Sequence, residues 1–152
     1  MATKRAASVV EIPCGKRLKK DRYDLKYKDF VVYASCGENE SFVNIRKMQN
    51  DELSKTGVAI KESEWEALLT LFTKISDSFD NYKERLWCIG ERNLFVSVSK
   101  SDFGNVKIDI RFKFETEGKL LYTRRGCCLN ETAFLNLMKY ANNINEDLQN
   151  KK

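Results

Sequence analysis

Hydrophobic and polar positions alternate most regularly in the stretch 106–129. Its first strand presents two sets of side chains, apolar residues Val106, Ile108 and Ile110 on one side and basic residues Lys107, Arg111 and Lys113 on the other. A period of two is typical of a half-buried strand, and the glycine-containing segment 116–118 predicts a turn. The pattern therefore predicts a β-hairpin, in which the apolar phase runs on to Phe112 and Phe114, past the part that covers the core.

Shorter β patterns occur in two other regions of the chain. The first region contains runs at 30–34, 41–46 and 53–60, and the second contains a run at 94–98. Segments rich in glycine, asparagine and acidic residues at 37–39, 49–52 and 103–105 predict the turns that join these runs.

Apolar residues at steps of three and four predict two helices. The first begins near residue 63, and its stripe consists of Trp65, Leu68, Leu69, Phe72, Ile75, Phe79, Tyr82 and Leu86. The second begins near residue 132, and its stripe consists of Phe134, Leu137, Met138, Ala141, Ile144 and Leu148. Asn130 is the expected N-cap of the second helix.

Strands followed by a helix occur twice, and the two stretches can be aligned. Gly57 then falls on Gly126, and Trp65 falls on Phe134. Two small sheets, each with one helix, bury little surface separately, so we expect the two helices to pack together. A connection of about ten to fifteen residues permits pairing within one chain as a pseudo-dimer. A homodimer formed through equivalent repeats is the alternative.

Charge separates an N-terminal arm from the rest of the 152-residue chain. The net charge is +5, but residues 1–28 carry nine basic and three acidic side chains and show no apolar period. We expect 1–28 to be a disordered basic arm. Its two basic clusters have the spacing of a bipartite nuclear localisation signal, formed by Lys4, Arg5, Lys16, Arg17, Lys19 and Lys20. Nonspecific contact with phosphates is the alternative reading of the arm.

Several classes of function are disfavoured by composition. The chain has no histidine, and its five cysteines are an odd number without C-x-x-C spacing, so we expect no metal site and reduced thiols. Neither a nucleophile–base pair nor a phosphate-binding loop is present, so we expect no enzymatic activity and no cofactor. No apolar run is long enough to predict a membrane span.

The second repeat resembles a known family. The residues that follow the family's pattern in order are Ile89-Gly90, Val96-Ser97-Val98, Gly104, Val106, Ile108-Asp109-Ile110-Arg111, Gly118, Arg124-Arg125-Gly126, Leu129-Asn130 and Phe134. They resemble the transcriptional coactivator family called positive cofactor four, whose members bind single-stranded DNA. The resemblance implies four antiparallel strands followed by a helix, dimerisation through the helices, and two curved β-ridges that form a channel for opposing single strands.

The resemblance and the internal repeat together predict the fold class and the domains. We expect an α+β protein of two tandem ββββα units, with curved antiparallel sheets and helices packed together as an intramolecular pseudo-dimer. The first, degenerate repeat covers 29–82 and the second covers 87–150.

Site residues follow from the resemblance by position. The family's stacking aromatic falls on Phe114 and its turn aromatic near Phe103, while its strand arginine falls on Arg111 and its basic pair on Arg124 and Arg125. Two further phosphate contacts, Lys107 and Lys113, are inferred from their place on the same strand. In the first repeat Arg46, Lys47 and Lys55 are expected to guide phosphates.

The expected function is sequence-tolerant binding of single-stranded DNA in the nucleus, in transcription as a coactivator or in replication. Melted duplex or RNA are alternative nucleic acids, and proteins of the transcription machinery are expected partners. Residues 29–60 have a net charge of −2 and residues 86–129 of +3, so the second repeat is expected to make most of the contacts. The alternative function is a protein-interaction scaffold with weak or lost DNA binding.

Overall fold

The computed structural model describes residues 22–150. Four strands and a helix are followed by four more strands and a second helix. The elements are β1 (Tyr23–Asp24), β2 (Phe30–Cys36), β3 (Ser41–Gln49), β4 (Glu52–Lys61), α1 (Glu62–Asp80), β5 (Arg85–Ile89), β6 (Leu94–Lys100), β7 (Val106–Thr116), β8 (Lys119–Leu129) and α2 (Glu131–Asn150).

All eight strands belong to one mixed sheet with the order β1-β2-β3-β4-β8-β7-β6-β5. Within each run of four strands the neighbours are antiparallel. The two runs meet where β4 and β8 pair in parallel, with Gly57 opposite Arg125. The α+β class is therefore confirmed, but the sheet is continuous across the chain rather than divided into two sheets. We call the line where β4 meets β8 the seam.

The β7–β8 hairpin predicted at 106–129 is confirmed, with its turn at Glu117 and Gly118. Both turn residues have positive φ, 50° and 76°. The β3–β4 hairpin turns at Asn50 and Asp51, whose φ angles are 53° and 65°. Left-handed two-residue turns match the right-handed twist of the strands, and asparagine and aspartate adopt this conformation more readily than most residues.

An arginine opposes a glycine at the same place in both long hairpins. Arg46 pairs with Gly57 and Arg111 pairs with Gly126, and the register of each hairpin shifts just beyond its arginine. At Gly57, where φ is +146°, an added Cβ would lie 2.1 Å from the Ile45 carbonyl oxygen. Glycine is therefore required for the strands to approach this closely.

The two helices contact one another through aromatic side chains. The Phe134 ring on α2 lies 5.3 Å from the Phe72 ring and 6.0 Å from the Phe79 ring, both on α1. Trp65, fully buried on α1, donates a hydrogen bond of 2.7 Å from Nε1 to the Asn145 Oδ1 on α2. The apolar stripes predicted from the sequence thus share one core, as expected.

A buried ion pair connects the second run of strands to the first helix. The Glu64 carboxylate on α1 is 1% exposed and accepts hydrogen bonds of 2.7 and 3.0 Å from Arg92, in the β5–β6 turn. Glu64 also accepts 2.8 Å from the backbone N–H of Lys61 at the helix start. Arg92 donates a further bond of 3.1 Å to the Ala59 carbonyl oxygen. Hydrogen bonding by Glu64 raises the pKa of Arg92.

Comparable contacts join the first strands to the second helix. The Tyr23 hydroxyl donates a hydrogen bond of 2.8 Å to the Asp147 carboxylate, and the Asn136 Nδ2 donates one of 2.9 Å to the Leu25 carbonyl oxygen. Each helix is therefore held by strands of the other run as well as by its own.

Two sequence-based boundaries are wrong. Residues 22–28 were predicted to belong to the disordered arm, but they contain β1 and the fully buried Leu25. The prediction missed β1 because a strand of two residues is too short to show a hydrophobic period. The first helix ends at Asp80, so Tyr82 and Leu86 do not continue its stripe. Leu86 lies on β5 and is 53% exposed. The proposed nuclear localisation residues lie outside the described part of the chain.

Gly57→Ala should lower the free energy of unfolding by more than Gly104→Ala does. Both glycines have positive φ, but no atom lies within 4 Å of a Cβ built at Gly104. The control therefore carries only the backbone penalty, and overpacking at Gly57 should add about 1–3 kcal/mol. Urea denaturation followed by circular dichroism measures the difference. Equal losses would show that the strands at Gly57 can separate without cost.

Arg92→Gln should destabilise the protein by roughly 3 kcal/mol, because the Glu64 carboxylate would be left buried without its cation. Arg85→Gln is the control, since Arg85 is exposed and lies over the Trp87 ring at 5.8 Å. Adding Glu64→Gln to Arg92→Gln should recover much of the loss. If the single Arg92 variant unfolds at the same urea concentration as the control, the ion pair does not connect the two runs.

Candidate nucleic-acid interface

The tip of the β7–β8 hairpin exposes aromatic and aliphatic side chains. Phe114 is 46% exposed and Tyr122 is 72% exposed, while Leu120 and Leu121 are each 39% exposed. Phe114 lies opposite Leu121, and Lys113 lies opposite Tyr122. The hairpin thus extends beyond the core, as predicted for Phe114, and offers ring surfaces to which bases could stack.

Tyr122 was not among the residues predicted from the sequence. Its cross-strand partner, Lys113, is apparent only when the hairpin register is known, and the register shifts between Arg111 and Lys113. The available signal was an aromatic residue two positions before the basic pair, on the strand that follows the turn.

Phe103 is presented separately, in the turn between β6 and β7. Its ring is 92% exposed, and the turn is closed by hydrogen bonds from the Gly104 N–H to the Ser101 carbonyl and from the Ser101 N–H to the Asn105 carbonyl. Phe103 precedes β7, whereas Phe114 lies near its end, so the two are separated by roughly 25 Å or more along the strand. The structure exposes both predicted stacking residues without bringing them together.

Lys113 is placed differently from the prediction. Its side chain is only 7% exposed, and its Nζ lies 4.8 Å from the Tyr122 ring centroid and 5.8 Å from that of Phe95. The register shift after Arg111 directs this lysine toward the rings. Lys113 therefore supports Tyr122 through a cation–π contact and does not present its charge to a phosphate.

Arg111 also has its charge compensated within the protein. Its guanidinium makes hydrogen bonds of 3.1 to 3.2 Å to the Asp109 carboxylate and one of 3.0 Å to the Thr123 carbonyl oxygen. Burial would lower the pKa of Arg111, but the bonds and the charge of Asp109 outweigh it and raise this pKa. Asp109 and Arg111 thus form a salt bridge on the same strand. Arg111 therefore carries less uncompensated charge than its place in the sequence suggested.

Lys107 belongs to a small cluster with the β1–β2 loop. Its Nζ donates a hydrogen bond of 3.1 Å to the Tyr27 hydroxyl, and the Lys28 Nζ lies 5.2 Å from the Tyr27 ring centroid. Burial would raise the pKa of Tyr27, but the two lysines together lower it. Tyr27 and Lys28 were assigned to the arm, so this cluster was missed.

The predicted basic pair divides between two environments. Both arginines are exposed on β8, but the guanidinium of Arg125 also lies 4.2 Å from the centroid of the Phe112 ring. Arg92 approaches the same ring, at 4.9 Å. Phe112 is only 6% exposed, so the prediction that it leaves the core together with Phe114 is wrong, and its ring lies against Arg125 beside the seam.

Three predicted cations meet in a concave site at the seam. Arg46 from β3, Lys55 from β4 and Arg125 from β8 border a cavity of about 170 Å³. The other lining residues are Asn44, Gly57, Val58 and Ala59. We call this site the seam pocket. None of its lining residues is acidic. Lys47, in contrast, does not line it and lies partly buried on β3.

The cysteines and the acidic residues do not form a second kind of site in residues 22–150. Nothing in this range groups three or more potential metal ligands. Cys127 is buried and its neighbour Cys128 is exposed, as expected for adjacent strand residues, and burial raises the pKa of both thiols. Neither helix is sufficiently long and apolar to span a bilayer.

Comparison of the sequence with known protein families and with curated proteins found no match.

Proposed function

We propose that the protein binds single-stranded DNA without strong sequence preference, through stacking on the β7–β8 hairpin and phosphate contacts beside it. The observation that carries this proposal is the exposure of Phe114 and Tyr122 on a hairpin whose second strand continues into Arg124 and Arg125. Exposed rings next to a basic track are the two components of sequence-tolerant single-strand binding.

The proposed architecture is a tandem duplication of one ββββα module, with the two helices in the place of a dimer interface. Hydrogen bonds at matching positions support it. Arg46 donates to the Ser54 carbonyl and Arg111 donates to the Thr123 carbonyl, three residues before Gly57 and Gly126 respectively. The hydroxyls of these two residues accept from the backbone N–H groups of Thr56 and Arg125.

Affinity would have two sources under this proposal. Each base stacked on an aromatic ring contributes about 1–3 kcal/mol, whatever its identity. Cations beside the rings add a salt-dependent attraction to the sugar-phosphate backbone. Arg124 is exposed, and the seam pocket collects three further cations, so the backbone would run from the hairpin toward the seam.

The distribution of contacts differs from the one expected from segment charges. Asp109 neutralises Arg111 in the second repeat, whereas no acidic residue lines the pocket that contains Arg46. Both repeats therefore contribute phosphate contacts in our proposal. Arg46 and Lys55 have a larger part than the net charge of the first repeat suggested.

The cellular setting rests on the sequence. The resemblance to the positive cofactor four family favours a role in transcription, with replication as the alternative, and proteins of the transcription machinery as partners. The basic clusters of residues 4–20 favour the nucleus.

An interaction scaffold is the second candidate function. The exposed Leu120 and Leu121, together with the internal pairing of Arg111, would suit contact with a protein as well as with bases. The two candidates differ in whether the aromatic rings contribute to the affinity for an oligonucleotide.

Phe114→Ala and Tyr122→Ala, each in the full-length chain, should weaken binding of a fluorescent single-stranded oligonucleotide by about fivefold to more than a hundredfold. This range corresponds to the loss of one stacking contact. Leu135→Ala is the matched control, because Leu135 is 45% exposed and lies on α2 instead of the hairpin. Anisotropy titrations at fixed salt give the dissociation constants. Unchanged affinities for both aromatic variants would favour the scaffold.

Arg124→Gln should reduce the slope of log K against log salt concentration by about 0.7, the value for one phosphate contact on a single strand. Asp109→Asn should increase the same slope, because it releases Arg111 from its ion pair. Titrations at several salt concentrations measure both slopes. A lower slope for Asp109→Asn would mean that the ion pair is part of the binding surface.

A further inference from the structure

The seam pocket is built by both halves of the chain. Gly57 pairs with Arg46 on one side and with Arg125 on the other, and neighbouring strands lie about 4.8 Å apart. Three consecutive strands of the sheet thus deliver Arg46, Lys55 and Arg125 to one cavity. Gly57 lies between Arg46 and Arg125 in this row, and the space that a Cβ would enter there is taken by the Ile45 carbonyl oxygen and by Arg46 itself.

The three cations are not compensated by carboxylates. Within residues 22–150 none of them forms an ion pair, and the hydrogen bond of 3.0 Å from the Arg46 Nε to the Ser54 carbonyl oxygen leaves the guanidinium's terminal nitrogens for a ligand. Arg125 is held over the Phe112 ring at 4.2 Å. Two of the three side chains are therefore positioned by the fold before any anion binds.

At the corresponding place in the second repeat, the charge of the arginine is compensated. Asn44 precedes Arg46 by two positions, as Asp109 precedes Arg111. Asp109 pairs with its arginine, whereas the Asn44 side chain donates hydrogen bonds to the Ser35 hydroxyl and the Tyr33 carbonyl oxygen. Because a neutral amide takes the place of the carboxylate, the charge of Arg46 is available to a ligand on the first-repeat side of the seam. The charge of Arg111, on the second-repeat side, is not.

The pocket suits a small, highly charged anion. Its volume of about 170 Å³ exceeds several times the roughly 30 Å³ that one water occupies, so a phosphate group fits. A phosphate monoester carries a charge near −2 at neutral pH, because its second pKa is about 6, whereas an internal phosphodiester carries −1. Guanidinium groups also bind phosphate oxygens in pairs. Three cations that line one cavity therefore favour a monoester over a diester.

We propose that the seam pocket binds the terminal phosphate of a single strand, so that the protein prefers phosphorylated ends to hydroxyl ends. The inference rests on the proposed function, because the pocket would hold the end of a nucleic-acid strand whose next bases stack on the hairpin. Recognition requires both repeats, since Arg46 and Lys55 come from the first and Arg125 from the second.

The test compares three oligonucleotides of one sequence, bearing a 5′-phosphate, a 3′-phosphate or hydroxyl groups at both ends. The full-length protein should bind one phosphorylated form about tenfold more tightly than the hydroxyl form, the size expected for a set of charge-assisted hydrogen bonds. Lys55→Gln should reduce this ratio toward one. Arg124→Gln, a neighbour of Arg125 that does not line the pocket, should weaken all three forms and keep the ratio.

The same ratio should depend on pH. Between pH 7.5 and pH 5.5 the monoester gains its second proton, so the preference should fall as pH decreases. The charged residues that line the pocket are Arg46, Lys55 and Arg125, and the chain contains no histidine. A ratio that is constant over this range would mean that no dianion is recognised, and would overturn the proposal.

Two results distinguish this inference from the proposed function. Equal affinity for phosphorylated and hydroxyl ends, with both bound tightly, would overturn the terminal-phosphate subsite and leave single-strand binding intact. Failure to bind any oligonucleotide would overturn the proposed function. Inorganic phosphate, titrated by calorimetry against the native protein and Lys55→Gln, would then still show whether the pocket binds phosphate. Loss of phosphate binding in that variant would support the pocket, and equal binding by both proteins would overturn it.

Discussion

The close approach of β3 to β4 at Gly57 is the constraint on which the centre of the structure depends. A side chain there would collide with the Ile45 carbonyl oxygen, so only glycine allows Arg46 to lie beside the seam. The same residue pairs with β8, which makes one sheet out of two four-stranded arrays. The three seam cations can lie on adjacent strands because the residue between Arg46 and Arg125 is a glycine.

The helices make the two arrays one cooperative unit. Phe134 packs against Phe72 and Phe79, and the Arg92–Glu64 pair joins the second set of strands to the first helix. Each helix packs against strands of both arrays, so neither array covers its apolar face with its own helix alone. A disturbance of one half should therefore reach the other, and the seam pocket would keep its geometry only while both halves are folded.

Local patterns were sufficient to predict the elements that carry their own period. The β7–β8 hairpin, strands β2, β3, β4 and β6 and most of the two helical stripes follow from spacing in the sequence, and so does the cap at Asn130, whose Oδ1 accepts from the Ala133 N–H at 2.9 Å. Strand β5 was not predicted, because Leu86 was assigned to the helical stripe. Strand β1 could not be predicted, because two residues have no period and their position depends on pairing with β2. The seam could not be predicted either, since it joins positions far apart in the chain.

In the candidate site, tertiary contacts decide which basic side chains are exposed and uncompensated. Lys113 alternates correctly with Arg111 in the sequence, but the register shift between them turns its Nζ toward aromatic rings. Arg111 is neutralised by a residue two positions earlier, and Arg46 is not. Counting charges by segment therefore does not distinguish a compensated arginine such as Arg111 from an uncompensated one such as Arg46.

The continuity of the sheet also changes which strands lie at its edges. If the sheet ended at the seam, β4 and β8 would each be an edge strand, and long edge strands can pair with strands of another molecule. The two strands are instead neighbours, paired at Gly57 and Arg125, and β1 and β5 are the outermost strands of the described sheet. Strand β1 has two residues, and β5 follows Lys83 and Glu84 and starts at Arg85. Short length and flanking charge are both features that discourage pairing of these outermost strands with another molecule.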